Sequence, residues 1–437
     1  MKYFSTQTQH ALTNFPFPVP HVALKFIYAI AEIKHAAAFA NAQAGGLTPH
    51  IAEAIQESCC EIVDGKFDDQ FVTPTIQGGA GTSINMNVNE VIASRATELL
   101  QTQGISLQVH ANDHVNLSQS TNDVNPSALR ITCLRFMQEL QTEVDMLVNA
   151  FQQKGETYKN TKKLGRTHLQ DAVPITIGQE FAAYADVIYR DLERVMNCSP
   201  YLLQLNLGGT AVGDSINASP AYREHVYAQL REITGLPVEA VTNMMSLTSS
   251  TADFCAVSAA LTILFMDLSK IATDLRILSS GPHGGIGEIT LANLQPGSSI
   301  MPGKVNPVAA ESVNQAFYFI AGKNQSILQA SEAASLELAV MFPVVAEGLI
   351  ASLTLSISVI SIFRQKCVDL LTVNVERCSQ LLERSSAYAT LLTPTLGYDL
   401  VSEVVKESVA TGVSIHSLVL KKHLLSEKEF EKIIHPQ

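Results

Sequence analysis

Apolar residues recur along most of this chain at the spacing of one helix face. Leu140, Val144, Leu147 and Phe151 follow one another at steps of four, three and four residues, a single stripe of a 3.6-residue repeat. Between Cys255 and Met266 the string CAVSAALTILFM is almost wholly apolar, and Asp267, Lys270 and Asp274 continue it on a helical pattern. Strand-like alternation is scarce, and there is neither an internal repeat nor a low-complexity segment. The pattern predicts an all-α protein.

Five polar, Gly- and Asn-rich segments interrupt the helices: QGGAGTSINMNVNE (77–90), HANDHVNLSQSTNDVNP (110–126), GRTHLQDAVP (165–174), LGGTAVGDSINA (207–218) and QPGSSIMPGKVNPV (295–308). Ser, Thr, Asn and Asp favour helix caps and turns, so the plainest reading of any one segment is structural. A cap needs only one polar residue, however, and five dense segments exceed that need. Each is dense in side chains that bond to anions or to exposed backbone.

One stretch raises the question of a membrane. From Gly348 to Phe363, GLIASLTLSISVISIF carries no charge and is bounded by Glu347 and Arg364. That run is shorter than the roughly 20 residues needed to span a bilayer, so a helix buried inside an oligomer is expected instead. At 437 residues with 46% hydrophobic and 16% charged residues, the chain suits extensive burial against copies of itself. The formal net charge of −12 argues against nucleic acid, whose binding requires clustered Lys and Arg. Seven scattered cysteines form no CxxC pair, and MKYFSTQTQH lacks the apolar core of a secretory signal. A cytoplasmic location is the expectation.

The most informative string is GSSIMPGKVNP, from Gly297 to Pro307. Glycines and prolines flank two serines, a composition that exposes backbone N–H groups to a ligand. Lys304 and Asn306 then supply a cation and an amide two residues apart. These are parts for holding a carboxylate and the extra charge it gains in a transition state. The string resembles, without a gap, the signature loop of the fumarase/aspartase superfamily. YFSTQTQHALTNFP near the start, the other polar segments in order, and TPTLGYD (393–399) resemble further blocks of that family.

The resemblance implies three helical domains: residues 1–113, a central helix-bundle domain 114–365 carrying the loop 295–308, and a small domain 366–437. It also implies a homotetramer that merges the bundles, with each active site drawn from three chains. The implied substrate is a small dicarboxylate, with no membrane partner. No cofactor and no metal ligand set are implied, although a divalent cation such as Mg²⁺ activates some members. Ser298 is then the base that removes a proton beside a carboxylate, and Lys304 and Asn306 stabilise the aci-carboxylate intermediate. His168 alone would more often be a core or surface histidine. Within GRTHLQD it matches a family residue that pairs with a glutamate, here Glu311. Thr82, Ser120, Thr121, Asn122 and Thr167 match substrate contacts. His110, Asn112 and Asp113 match a second, non-catalytic anion site, with Ala111 replacing the usual proline.

The discrimination between ammonia and water lies outside the signature loop. Fumarases usually carry Ser-Gly-Thr-Gln at positions 80–83, where the serine helps hold water. This chain has Ala80-Gly81-Thr82-Ser83, the aspartase pattern, and Ala80 cannot hydrogen-bond a water. Thr121 in SQSTND points the same way. The expectation is therefore ammonia elimination to give fumarate. The alternative is a class II fumarate hydratase, and a more remote one a non-catalytic helical protein that keeps the fold. Asp214-Ser215 replaces Thr-Gly, and His283 stands where an arginine is common.

Overall fold

A computed structural model describes residues 2–295, 297 and 300–434. The expected base, Ser298, lies outside the described residues. Helices dominate, as the periodicity predicts, and the longest runs over 37 residues from Thr121 to Thr157. Leu140, Val144, Leu147 and Phe151, the predicted stripe on that helix, are all fully buried. Ala252–Leu278 forms a helix whose Val257, Leu261, Leu264 and Phe265 are fully buried.

Two compact units make up the chain, and neither is continuous in sequence. The first comprises Met1–Thr142, Asp191–Phe265 and Ala316–Ile357, and the second Glu143–Arg190, Met266–Gln315 and Ser358–Gln437. In the first unit the Leu24–Gln43 helix packs against the helices Pro49–Val63 and Pro220–Thr234. Ala29, Ile30, Ala31, Ile33, Ala36 and Ala37 are completely buried along it, and the small alanines allow close approach of its neighbours. The second unit holds a separate core near the C-terminus, built by Leu382, Leu392, Val404, Leu418 and Phe430.

Strands are few and short. The longest pair, β1 (Lys162–Thr167) and β2 (Gln170–Thr176), forms an antiparallel hairpin over the GRTH segment, with Thr167 opposite Gln170. Sequence reading did not anticipate this hairpin.

The apolar run near residue 350 is longer than its charges suggested. Its helix runs from Phe342 to Phe363, 22 residues, and continues as a π-helical turn over Arg364–Val368. Glu347 does not end it, because Lys323 of the Val308–Glu332 helix pairs with both carboxylate oxygens at 2.9 and 2.7 Å. The length argument against a membrane span therefore falls. Both Ala252–Leu278 and Phe342–Val368 are long and apolar enough to cross a bilayer. Core helices of water-soluble proteins share that property, and 56% of the most apolar window of each is buried. All seven cysteines are free thiols.

Candidate active site

The predicted site residues fall into two groups, one in each unit. In the first unit, two helix N-termini carry the hydroxyl and amide groups. Thr82 opens the Thr82–Thr102 helix, preceded by Gly81 with φ +87°, and Thr121 and Asn122 open the Thr121–Thr157 helix. Helix N-termini present unpaired N–H groups and positive partial charge, which suits carboxylates. Asn125 ties the two ends together by donating from its side chain to the Gly81 carbonyl at 3.0 Å.

Asp123, which sequence reading passed over, organises this group. Its Oδ1 accepts the Ser120 N–H at 2.9 Å, and its Oδ2 accepts the N–H groups of Gly208 and Thr210 at 3.0 and 2.9 Å. It thereby joins the 110–126 segment to the 207–218 segment. Asn122 adds a second link, donating to the Ala211 carbonyl at 2.8 Å, while its own carbonyl accepts from Asn206 at 3.1 Å. Asp123 is wholly buried, and burial pushes its carboxyl up to about 6 despite those N–H donors. Such a dual-segment acceptor has no signature in sequence, since the three donors are backbone groups.

Ala80, Thr121 and Asn122 line one small cavity with Thr248, Thr251 and Phe342. Its volume of about 20 Å³ is room for one water-sized group. Ala80 sits there at φ +53°, a left-handed conformation uncommon for alanine. The exposed Thr82 turns its hydroxyl to the Gly79 carbonyl at 2.8 Å. His110 caps the π-helical turn Ala111–Val115, its Nδ1 accepting the Asp113 N–H at 3.1 Å. Asn112 and Asp113 are exposed on that turn.

The second unit holds the remaining residues. Thr167 and His168 are exposed at the tip of the β1–β2 hairpin. His168 and Leu169 form its two-residue turn with φ of +53° and +61°, the paired left-handed geometry of a type I′ turn. Asn-Gly would adopt it without strain, whereas His-Leu stores strain and leaves Leu169 69% exposed. The hairpin base is held by charge. Lys163 Nζ lies 2.8 Å from Glu180 and 3.0 Å from Glu288, and Arg166 donates to Glu288 at 3.0 Å. Glu288 is completely buried between these two cations.

Around the signature loop, Asn306 donates its side-chain amide to the Gly297 carbonyl at 3.1 Å. A Cβ on Gly297 would lie 1.8 Å from the Lys304 carbonyl oxygen, so only glycine fits there. Lys304 itself is exposed. Asn306 and Glu311 line a cavity of about 690 Å³ together with Thr273, Arg276, Asn374 and Arg377. Glu311 stands on the first turn of the Val308–Glu332 helix. One turn further, the buried Asn314 accepts from Arg276 at 2.8 Å and donates to Ser269 and Thr273. Among the described residues no hydrogen bond joins His168 to Glu311.

The whole chain resembles known proteins. The chain matches a model described as lyase over residues 1–322 and one described as the fumarase C C-terminus over residues 389–437. It belongs to the fumarase/aspartase superfamily. Within that superfamily it is 42% identical over 435 residues to an aspartate ammonia-lyase of Bacillus subtilis, covering 99% of this chain and 92% of that one. It is 38% identical over 438 residues to a class II fumarate hydratase of Methylorubrum extorquens, covering 100% and 93%. A crystal structure of fumarate lyase:delta crystallin from Brucella melitensis bound to cobalt superposes with a TM-score of 0.94 at 40% identity, covering 99% and 95%. Like its superfamily, the chain is a lyase.

One group of side chains has the spacing of a metal site among the described residues: His416, Glu427 and Glu431, with ligand atoms within 4.8 Å. His416 also contacts Glu427 at 3.1 Å and stacks on Phe430. Both glutamates are exposed, and the group is remote in sequence from every predicted site block.

Proposed function

We propose that the protein is an aspartate ammonia-lyase, converting L-aspartate reversibly to fumarate and ammonia. The observation that carries this reading is the small cavity beside Thr121 and Asn122. Ala80, which lines it, offers no side-chain donor or acceptor for a water molecule. A hydratase must hold the water it adds, whereas an ammonia-lyase needs no partner at that point. The aspartate ammonia-lyase of Bacillus subtilis, at 42% identity, supports the same choice.

In this reading Ser298 takes a proton from the carbon beside one carboxylate of aspartate. The electron pair moves into that carboxylate, giving a doubly charged aci-carboxylate, and collapse of this species expels ammonia from the neighbouring carbon. A serine hydroxyl is a weak base, so the positive charge of Lys304 and the loop N–H groups must favour its ionised form. The same groups, with Asn306, stabilise the aci-carboxylate. Thr82, Ser120, Thr121, Asn122 and Thr167 bind the carboxylates, and pairing with Glu311 orients the His168 ring and tunes its charge next to the substrate carboxylate. His110, Asn112 and Asp113 bind a second anion. The enzyme is a cytoplasmic homotetramer with each site drawn from three chains, and it carries no obligate cofactor.

A class II fumarate hydratase is the second reading, favoured by the Methylorubrum relative. Fumarate release followed at 240 nm, from L-aspartate and from L-malate in parallel, separates the two. A rise with aspartate alone is expected. A rise with malate alone would overturn the proposal and show that Ala80 does not discriminate.

A further inference from the structure

Lys34 is completely buried in the middle of the Leu24–Gln43 helix, yet among the described residues no carboxylate forms an ion pair with it. Its Nζ donates to Asn116 Oδ1 at 2.8 Å. The same oxygen also accepts from Asn85 at 3.1 Å and Asn89 at 3.3 Å. Asn85 reaches the Thr121 hydroxyl at 3.3 Å, and Asn116 donates to the Gln119 carbonyl at 3.2 Å. The carbonyl oxygens of Asn85 and Asn89 are buried with no partner among the described residues. Burying a cation in this way is costly unless something is gained from the charge. A methionine would fill the same volume without the penalty.

The gain lies in what surrounds it. One step from Lys34, Asn116 supports the turn that enters Ser120, Thr121 and Asn122, the first-unit groups assigned above to carboxylate binding. The ammonium also faces Asp123 electrostatically, and Asp123 clamps Ser120 to the Gly208 and Thr210 N–H groups. We propose that Lys34 is a positioning residue that holds the Ser120–Thr121–Asn122 segment and the Gly208–Thr210 turn in their carboxylate-binding arrangement, through Asn116 and through the ionised Asp123. The proposal rests on the substrate contacts assigned under the function above.

The charges around this pair limit what else can titrate. Burial lowers Lys34 to about 7, against the favourable fields of Asp123 and of Cys59 on the Pro49–Val63 helix. Asp123 faces Lys34 on one side and, on the Pro220–Thr234 helix, Tyr222 and Tyr227, both neutral because burial raises them. Next to Lys34, His35 is half-buried and faces Glu232, and Glu32 is committed to Arg135 at 2.7 Å. Protonating Asp123 removes the acceptor charge on Ser120, Gly208 and Thr210, so carboxylate binding weakens as pH falls through about 6.

Wild type, Lys34→Met, Asp123→Asn and the double variant test this. KM and kcat for L-aspartate are measured from pH 5 to 9, with calorimetric binding of succinate, a dicarboxylate that cannot eliminate, its affinity expressed per succinate dianion so that the ligand's own ionisation drops out, and thermal unfolding as a check on folding. Lys34→Met should raise KM about tenfold with a smaller effect on kcat, and weaken succinate to match. Without its facing cation Asp123 becomes harder to ionise, so the acid limb of succinate binding should move up by about one pH unit. Asp123→Asn should remove that limb, and adding Lys34→Met to it should leave the pH dependence unchanged while still weakening binding through Asn116. A folded Lys34→Met with unchanged KM, succinate affinity and acid limb would overturn the proposal. Should that variant not fold, an acid limb retained in Asp123→Asn overturns it equally. Succinate binding with the predicted limb, in a wild type that turns over neither aspartate nor malate, would sink the assigned reaction and leave the positioning role standing.

Discussion

Replacing Gly81 by alanine should cost both stability and turnover, and the size of the loss follows from two contacts. Gly81 precedes the Thr82–Thr102 helix at φ +87°, and an added Cβ would lie 2.6 Å from the Asn125 side-chain nitrogen. The left-handed conformation penalises alanine by roughly 1–2 kcal/mol. Asn125 must also move, losing its bond to the Gly81 carbonyl, which is worth about 1 kcal/mol. Asn125 is buried, and among the described residues its carbonyl oxygen has no partner either. The sum is about 2–3 kcal/mol. Because the Asn125 bond ties the N-terminus at Thr82 to the one at Thr121, the same change should raise KM for aspartate. Denaturant unfolding and steady-state kinetics on Gly81→Ala measure both effects. Ala80→Gly is the control: it relieves a left-handed alanine and should leave stability unchanged or raise it by up to about 1 kcal/mol. Equal losses in the two variants, or wild-type behaviour of Gly81→Ala, would refute the reasoning.

Three further outcomes can be checked. Among the described residues, Glu288→Gln leaves Lys163 with Glu180 alone and Arg166 with only the Leu164 carbonyl, and should cost on the order of 3 kcal/mol in unfolding experiments, with a fall in kcat/KM as the hairpin carrying His168 loosens. Glu90 is buried, which raises its carboxyl, but hydrogen bonds from Thr8, Ser5 and Gln7 outweigh burial and hold it below the usual range. Its contribution is thus complete above the unfolded carboxylate value and disappears as pH falls through the lower folded value; Glu90→Gln should flatten the acid side of the stability profile, and an unchanged profile would contradict this assignment. Ser298→Ala should fold normally, judged by circular dichroism, and lose nearly all turnover of L-aspartate; substantial remaining activity would show that another group is the base.

Much of this protein was legible in its sequence because helices are local. The spacing of Leu140, Val144, Leu147 and Phe151 marks a buried face without knowledge of what covers it, and all four are indeed fully buried. The polar blocks stood out as candidate site segments for a related reason: their composition is unlike that of the helices they interrupt. What sequence could not show was anything decided by partners far along the chain. Glu347 read as the end of an apolar run until Lys323 neutralised it, 24 residues away. The His168–Leu169 turn contains neither Gly nor Asn, so nothing local announces it; the ion pairs of Lys163 and Arg166 with Glu288, up to 125 residues distant, hold its base. Nothing in the sequence singles out Asp123, because its Gly208 and Thr210 partners are backbone groups that any side chain could have carried. Lys34 is a lysine within an apolar helix, and only the packing of neighbouring helices turns it into a buried cation. Local periodicity determined which segments are helices and which are polar breaks. The tertiary structure decided which buried charges hold those breaks in place, since a charge in a low-dielectric interior takes its meaning from neighbours that sequence separation does not reveal.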